Sequence, residues 1–363
     1  MATQRNERMT KKDFDQDVLH RLKTQRLLRP LMEQADVVKF LFQAMLGVGH
    51  LLSTKEHVES SITREMEELS GDPDEPLFEV LSPFWFRINL RRAKAEQLSP
   101  SVIAGLMISS SGKEQFSRRD VFDFCTDLSL SGDTAITDVD SLGSILNESW
   151  LPSHSDAYRE RYHPAYRVVY AEWIPYLNII REIAGKQSER KRMLLTIDGP
   201  CASGKTTLAQ KLAELFKAAV IHTDDFVIPY AQKTAARLAI PGGNCDAERL
   251  VNEVAAPWKR GEDVKYRRYD CGLDRLLTEE AVPESDMLIL EGSYCNLPSI
   301  RKFADLCLFV DTPDSIRMRR LQKRESPESL KRYHEKWIPL ENAYFEAYGL
   351  PDKHCVIIRL TQT

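Results

Sequence analysis

The chain has 363 residues, which at roughly 150 residues per domain predicts two domains. Fifty basic against 54 acidic residues leave a formal charge of −4 and a pI near 6.1, so no global field favours nucleic acid or an anionic membrane. With 42% hydrophobic and 29% charged residues, the composition excludes a disordered chain. Seven cysteines, none in a CxxC pair, are scattered singly through apolar runs. That pattern fits reduced thiols and a cytoplasmic location.

The opening MATQRNERMTKK has no apolar core and does not read as a secretory signal. Apolar positions Val37, Val38, Leu41, Ala44, Met45, Val48 and Leu52 then recur at three and four residues, the period of a buried helix face. The run 37–49 is broken by Lys39 and Gln43 and falls short of the roughly 18 residues of a membrane helix. Residues 71–76 (GDPDEP) predict a loop, Leu98-Ser-Pro-Ser101 a helix start, and 129–141 a polar connection. Residues 153–167 (SHSDAYRERYHPAYR) hold two histidines, three tyrosines and three arginines. They read either as a cationic, aromatic wall for an anionic or ring-bearing ligand, or as an interdomain helix with packed tyrosines and solvated arginines. The second reading is favoured. His154 and His163 lack the spacing of a metal site. An amphipathic run from Tyr166 through Val168, Val169, Ile174, Leu177, Ile180 and Ile183 predicts a further helix, kinked or restarted at Pro175. Residues 1–185 thus read as a mainly α-helical domain, 186–192 as a charged linker and 193–363 as a second domain.

In that second domain, short apolar runs at 193–197, 219–222, 287–290, 306–310 and 356–360 read as buried strands. Stretches 205–217, 247–258, 315–324 and part of 328–348 read as helices. Strands alternating with helices predict an α/β fold, a parallel sheet with helices on both faces. Such sheets bind ligands at the carboxyl ends of their strands.

Gly199-Pro200-Cys201-Ala202-Ser203-Gly204-Lys205-Thr206 matches the phosphate-loop pattern G-x-x-x-x-G-K-[ST], directly after a strand and before a helix. The glycines let backbone N–H groups turn towards a phosphate, and the helix N-terminus faces the same charge. Residues 199–206, with Thr207, are the candidate nucleotide site. Lys205 would reach the β and γ phosphates, and Thr206 would ligate Mg²⁺. No N-K-x-D guanine-reading element follows. Candidate carboxylates end the next two strands: Asp224 and Asp225 in IHTDDF, and Glu291 in LILEG. His222 could tune the candidate base, though a packed strand-end histidine is the commoner case. Cys201, at a helix N-terminus, is expected to have a lowered thiol pKa. The aromatics of 337–344 read as core.

Residues 193 to about 360 resemble the uridine kinase and phosphoribulokinase group of P-loop kinases. The resemblance is carried by IDGPCASGKTT, HTDDF, RRYD, LILEGSY and LFVDTPDSIRMRRLQKRE, in that order. It implies transfer of the γ-phosphate of ATP to a hydroxyl of a sugar-bearing acceptor, with ATP and Mg²⁺ as cofactors. It places Asp224 as general base, Phe226 at the end of the D-x-F element, and Glu291 with Thr206 on the metal. Arg317 and Arg320 match lid arginines, with Arg324 a further candidate. Asp225, Phe226, Asp246, Tyr269 and Asp270 fall on the acceptor side. The sequence departs from uridine kinases at Asp274, where they carry a histidine, and in PGGNCD (241–246), which keeps the final aspartate of their ribose-holding element and lacks the first. The expected function is an ATP-dependent small-molecule kinase, with an ATP-binding regulatory switch as the alternative. The expected partners are ATP and a small acceptor, with no nucleic acid and no membrane. Residues 1–185 are not placed in a family by their motifs and fit a regulatory module, a lid, or a dimerising module that would make a homo-oligomer.

Overall fold

A computed structural model describes residues 9–48, 54–131 and 136–360. Residues 1–8, Gly49, Leu52 and positions 132–135 of the expected connection lie outside the described residues. The chain divides into two compact units, Met1–Ile174 and Pro175–Thr363.

The first unit contains helices Lys11–Leu28, Gln34–Leu46, Lys55–Glu68, Pro100–Ile108 and Arg118–Leu130. Their starts follow the sequence: Thr10, Thr54, Ser99 and Ser117 each accept a hydrogen bond from a first-turn backbone N–H. The mainly helical expectation omits a three-stranded antiparallel sheet in the order β1 (Phe78–Val80), β2 (Trp85–Asn89) and β3 (Tyr166–Tyr170). Strand β2 buries Trp85, Phe86 and Ile88 and, between them, Arg87. The Arg87 charge survives burial because Nη1 donates to Glu79 at 3.0 Å and Nε and Nη2 donate to Gln43. The helix expected from Tyr166 onwards is corrected as well. Residues 166–170 pair with β2, Ala171–Tyr176 form a 3₁₀ turn containing Pro175, and only Leu177–Ser188 are α-helical.

The charged segment 186–192 lies inside the second unit. Arg192 stacks 4.0 Å over Trp258 and donates to the Glu262 carbonyl at 3.1 Å, while Arg190 pairs with Asp305. Seven strands follow: β4 (Met193–Asp198), β5 (Ala219–His222), β6 (Lys265–Asp270), β7 (Arg275–Ala281), β8 (Met287–Glu291), β9 (Leu306–Asp311) and β10 (Cys355–Arg359). Five of them form one parallel sheet in the order β10-β9-β4-β8-β5. Near-continuous burial along β4, β8 and β9 is what a sheet covered on both faces demands. Strands β6 and β7 make a separate antiparallel hairpin, which the apolar pattern did not reveal. The core on one side gathers Phe226, Leu250, Trp258, Leu288, Leu290 and Tyr344. Both longer helical stretches contain a π-helical turn, at Val251–Ala255 and Tyr333–Trp337.

Among the described residues no helix is long and apolar enough to cross a membrane.

Candidate active site

The site is built at the carboxyl end of the central strand β4. There the chain leaves the sheet at Asp198 and turns through the phosphate loop into the helix Lys205–Phe216. Gly199 has φ +141°, and a Cβ on it would sit 2.5 Å from the Val310 carbonyl oxygen of β9. Only glycine permits so close an approach. Lys205 folds back across the loop, its Nζ donating to the Gly199 and Pro200 carbonyls at 2.8 and 3.0 Å.

Strands β5 and β8 bring the remaining groups beside it. Thr206 Oγ1 donates to Glu291 Oε1 at 3.1 Å, and His222 Nδ1 contacts the same oxygen. The Glu291 hydrogen bond raises the His222 pKa above its ordinary value. Asp224 follows β5 in a short 3₁₀ turn. Its side chain reaches solvent, yet protein surrounds it closely enough that lost hydration raises its pKa. Lys205 opposes that shift, while Glu291 and Glu341 add to it. Lys205, Glu291, Glu341 and His222 therefore set the charge around Asp224, and Thr206 joins them through its hydrogen bond to Glu291.

Arg317 and Arg320 reach the loop from the helix Asp314–Arg324. Arg317 Nη1 donates to the Cys201 carbonyl at 3.0 Å, and Arg320 Nη1 donates to those of Ala202 and Ser203 at 3.1 and 3.0 Å. Arg317 is buried, so these hydrogen bonds shape the loop. Arg324 lies apart, on Glu325 and Tyr333. Thr207 is exposed on the first turn of the loop helix.

The acceptor-side candidates have local partners. Phe226 is fully buried, stacked on Tyr266 at 5.7 Å with the Arg249 guanidinium 4.2 Å from its ring. Arg268 Nε donates to Asp225 at 3.2 Å, and Asp246 caps the helix Ala247–Leu250. Tyr269 donates its hydroxyl to Asp274, the residue standing where uridine kinases carry histidine. Asp274 also accepts from Tyr230 N at 3.0 Å. Asp270 accepts from Gly272 and Leu273 N and closes the β6–β7 turn, which presents the exposed Cys271.

Several residues that support the site were not read from the sequence. Asp198 is wholly buried and accepts from Gly199 N at 2.7 Å, Asn296 N at 3.0 Å and Tyr344 Oη at 2.7 Å. Burial raises its pKa, with those three donors opposing the rise. Glu341, also buried, accepts from Cys201 N at 2.9 Å and Ser293 Oγ at 2.5 Å. An acidic strand end before the loop was a visible signal for Asp198. Glu341 had none, because it lies 140 residues downstream of its partner. The expectation of a lowered Cys201 pKa is overturned: burial, and then the Glu341 carboxylate, push the thiol up to about 12.

Mg²⁺ takes hard oxygen ligands and commonly only one or two from protein, the rest coming from water and phosphates. The Thr206 hydroxyl and Glu291 carboxylate, 3.1 Å apart beside the loop, fit that demand. No group of three or more His, Cys, Asp or Glu side chains among the described residues could hold a metal by itself.

No profile of a known protein family matches the chain. A uridine kinase of Ligilactobacillus salivarius is 28% identical over 147 residues, spanning 37% of this chain and 68% of that protein. This part of the chain is uridine kinase-like. A cytidylate kinase of Halobacterium salinarum is 32% identical over 133 residues, 37% of this chain and 59% of its own length. Among solved structures, a possible uridine kinase from Bacillus stearothermophilus is 23% identical over 46% of this chain and 88% of its own, with a TM-score of 0.37. Each of these matches covers less than half of the chain.

Proposed function

We propose that the uridine kinase-like unit is a phosphotransferase that moves the γ-phosphate of Mg-ATP to a hydroxyl of a nucleoside or similar sugar-bearing acceptor. The observation that carries this reading is the placement of Asp224, at the end of β5, within electrostatic reach of both Lys205 and Glu291. A nucleotide-binding loop has no need of a second carboxylate there, whereas an acceptor hydroxyl needs a proton acceptor. In the proposed reaction the acceptor oxygen bonds to the γ-phosphorus as its bond to the ADP oxygen breaks. The hydroxyl proton passes to Asp224. Lys205 leaves the loop carbonyls for the β and γ phosphates, and Thr206 and Glu291 would hold Mg²⁺, which neutralises phosphate charge. Arg317 and Arg320 hold the shape of the loop and add positive potential beside it.

Acceptor-dependent ADP release from Mg-ATP tests the reading, over pyrimidine and purine nucleosides, ribulose 5-phosphate, pantothenate and simple sugars. One acceptor should stimulate release, and Lys205→Ala and Asp224→Asn should each lower the rate by about 10² or more. Tight ATP binding with no stimulation by any acceptor would favour the regulatory switch instead.

A further inference from the structure

The first unit carries a cleft of about 440 Å³ whose walls include Lys39, Arg91, Ser153, His154, Arg159 and His163. It is shallow and largely open to solvent, so a ligand there would be held by its charged end and not enclosed. The charges around it do not balance. Its one carboxylate, Glu65, is already engaged by Arg167 at 2.6 Å, and Arg159 leans on the exposed Asp156 at 3.1 Å. Lys39 and Arg91 are half-buried, and neither side chain forms a hydrogen bond or ion pair with a described residue. Lys39, held partly out of water without an ion-pair partner among the described residues, is costly, and elsewhere in this unit the chain avoids that cost. Arg87 is matched by Glu79 and Gln43, and Arg29 by Glu79 at 3.0 Å.

The surroundings of Lys39 sharpen the contrast. Burial, then the like charges of Arg87 and Arg159, lower its pKa to about 8, and Asp36 only partly opposes them. Asp36 is committed elsewhere: its carboxylate accepts from His154 Nδ1 at 2.7 Å and from Ser155 N and Oγ at 3.1 and 2.7 Å. His154 in turn meets Tyr166 Oη through Nε2 at 2.5 Å. The Asp36–His154–Tyr166 side of the cleft is thus held by its own hydrogen bonds, while Lys39 and Arg91 make no ion pair with a described residue. His163 adds a donor from a left-handed backbone position (φ 43°), which turns the chain from the helix Asp156–Tyr162 towards β3.

We propose that this cleft binds the dianionic phosphoryl group of a small molecule, with Lys39 and Arg91 as its charge partners and Ser153 and His163 as further donors. A phosphoryl dianion carries close to two negative charges and three acceptor oxygens, which is what the two unpaired cations and adjacent donors lack. A monocarboxylate would leave one cation unmatched. The site is separate from the phosphate loop and does not depend on the kinase reading.

Calorimetric titration of the full chain tests this with three probes: ribose 5-phosphate, inorganic phosphate and unphosphorylated ribose. Each is run on the native protein and on Lys205→Met, Lys39→Met and Arg91→Met. Removing one charge-assisted hydrogen bond from such a site costs about tenfold or more in affinity. Binding of ribose 5-phosphate should persist in Lys205→Met, weaken by about that factor in Lys39→Met and Arg91→Met, and be absent for ribose. Methionine keeps most of the side-chain volume and removes a partly buried charge, so both cleft variants should fold, which their melting temperatures would check. Inorganic phosphate binding as tightly as the ester would support the site and make free phosphate its occupant. Binding abolished in Lys205→Met but intact in the cleft variants would assign the phosphate to the loop and overturn the proposal. Absence of binding by either phosphate probe to the folded protein would overturn it too.

Discussion

Glu341 accepts from the Cys201 amide of the phosphate loop with one carboxylate oxygen and from the Ser293 hydroxyl with the other. Leucine can accept from neither donor and leaves the Cys201 amide without its partner. Glu341→Leu should therefore cost about 1–3 kcal/mol of stability. Because the loop amide is the more constrained partner, it should also raise KM for ATP more than KM for the acceptor. Thermal melting and paired substrate titrations would check both. Asp224 gives a second expectation at this scale. A general base works only when ionised, and burial raises the pKa of this carboxyl. The acid limb of kcat/KM should accordingly lie above the ordinary aspartate value near 3.8, with activity lost as pH falls through it. A pH profile of the native enzyme tests this, and a limb at the unperturbed value would contradict it.

Among the elements, β4, β8 and β9 were legible because burial on both faces writes them as unbroken apolar runs. The first unit's sheet was not. Arg87 interrupts β2, and Val168 and Val169 of β3 happen to continue the helical period of Ile174, Leu177 and Ile180. The hairpin β6–β7 was missed for a different reason: most of its side chains are exposed and many are charged, so it has no buried apolar run. The phosphate loop was fully legible because its chemistry is contiguous in sequence. Its supports, Asn296, Glu341 and Tyr344, come from distant elements and only the fold brings them in. The approach of β9 to the loop has a testable cost. Gly199→Ala would drive a Cβ to 2.5 Å from a backbone carbonyl at a φ that side chains rarely adopt. ATP affinity should fall by about tenfold or more, since a shift of the loop disturbs every phosphate-facing amide, whereas Gly185→Ala, with open space around it, should be neutral. Nucleotide titrations of the two variants would compare them.

At the scale of the whole molecule, the two units should respond differently to acid, and the first should be the more sensitive. Its buried His154 is held neutral by burial and by Lys39, which lower its pKa from 6.5 to about 4, against the opposing hydrogen bond to the Asp36 carboxylate. The unfolded chain takes up that proton as pH falls through 6.5, while the folded unit resists until about 4. Stability is therefore lost across that window, by about 3 kcal/mol at its lower end. Asp36, whose pKa is lowered on folding, removes more below its ordinary value of 3.8. Hydrogen exchange of β2 and β3 amides should report this loss, and His154→Gln should flatten the dependence between pH 6.5 and 4.

The distribution of thiols has a practical consequence. Cys125, Cys201, Cys245, Cys295 and Cys307 are buried, and Cys355 is half-buried with its thiol pushed up to about 11. Cys271 alone is exposed, on the turn that follows Tyr269 and Asp270. A maleimide dye added to the native protein should attach there first, placing a fluorescent reporter on the hairpin without any engineered substitution.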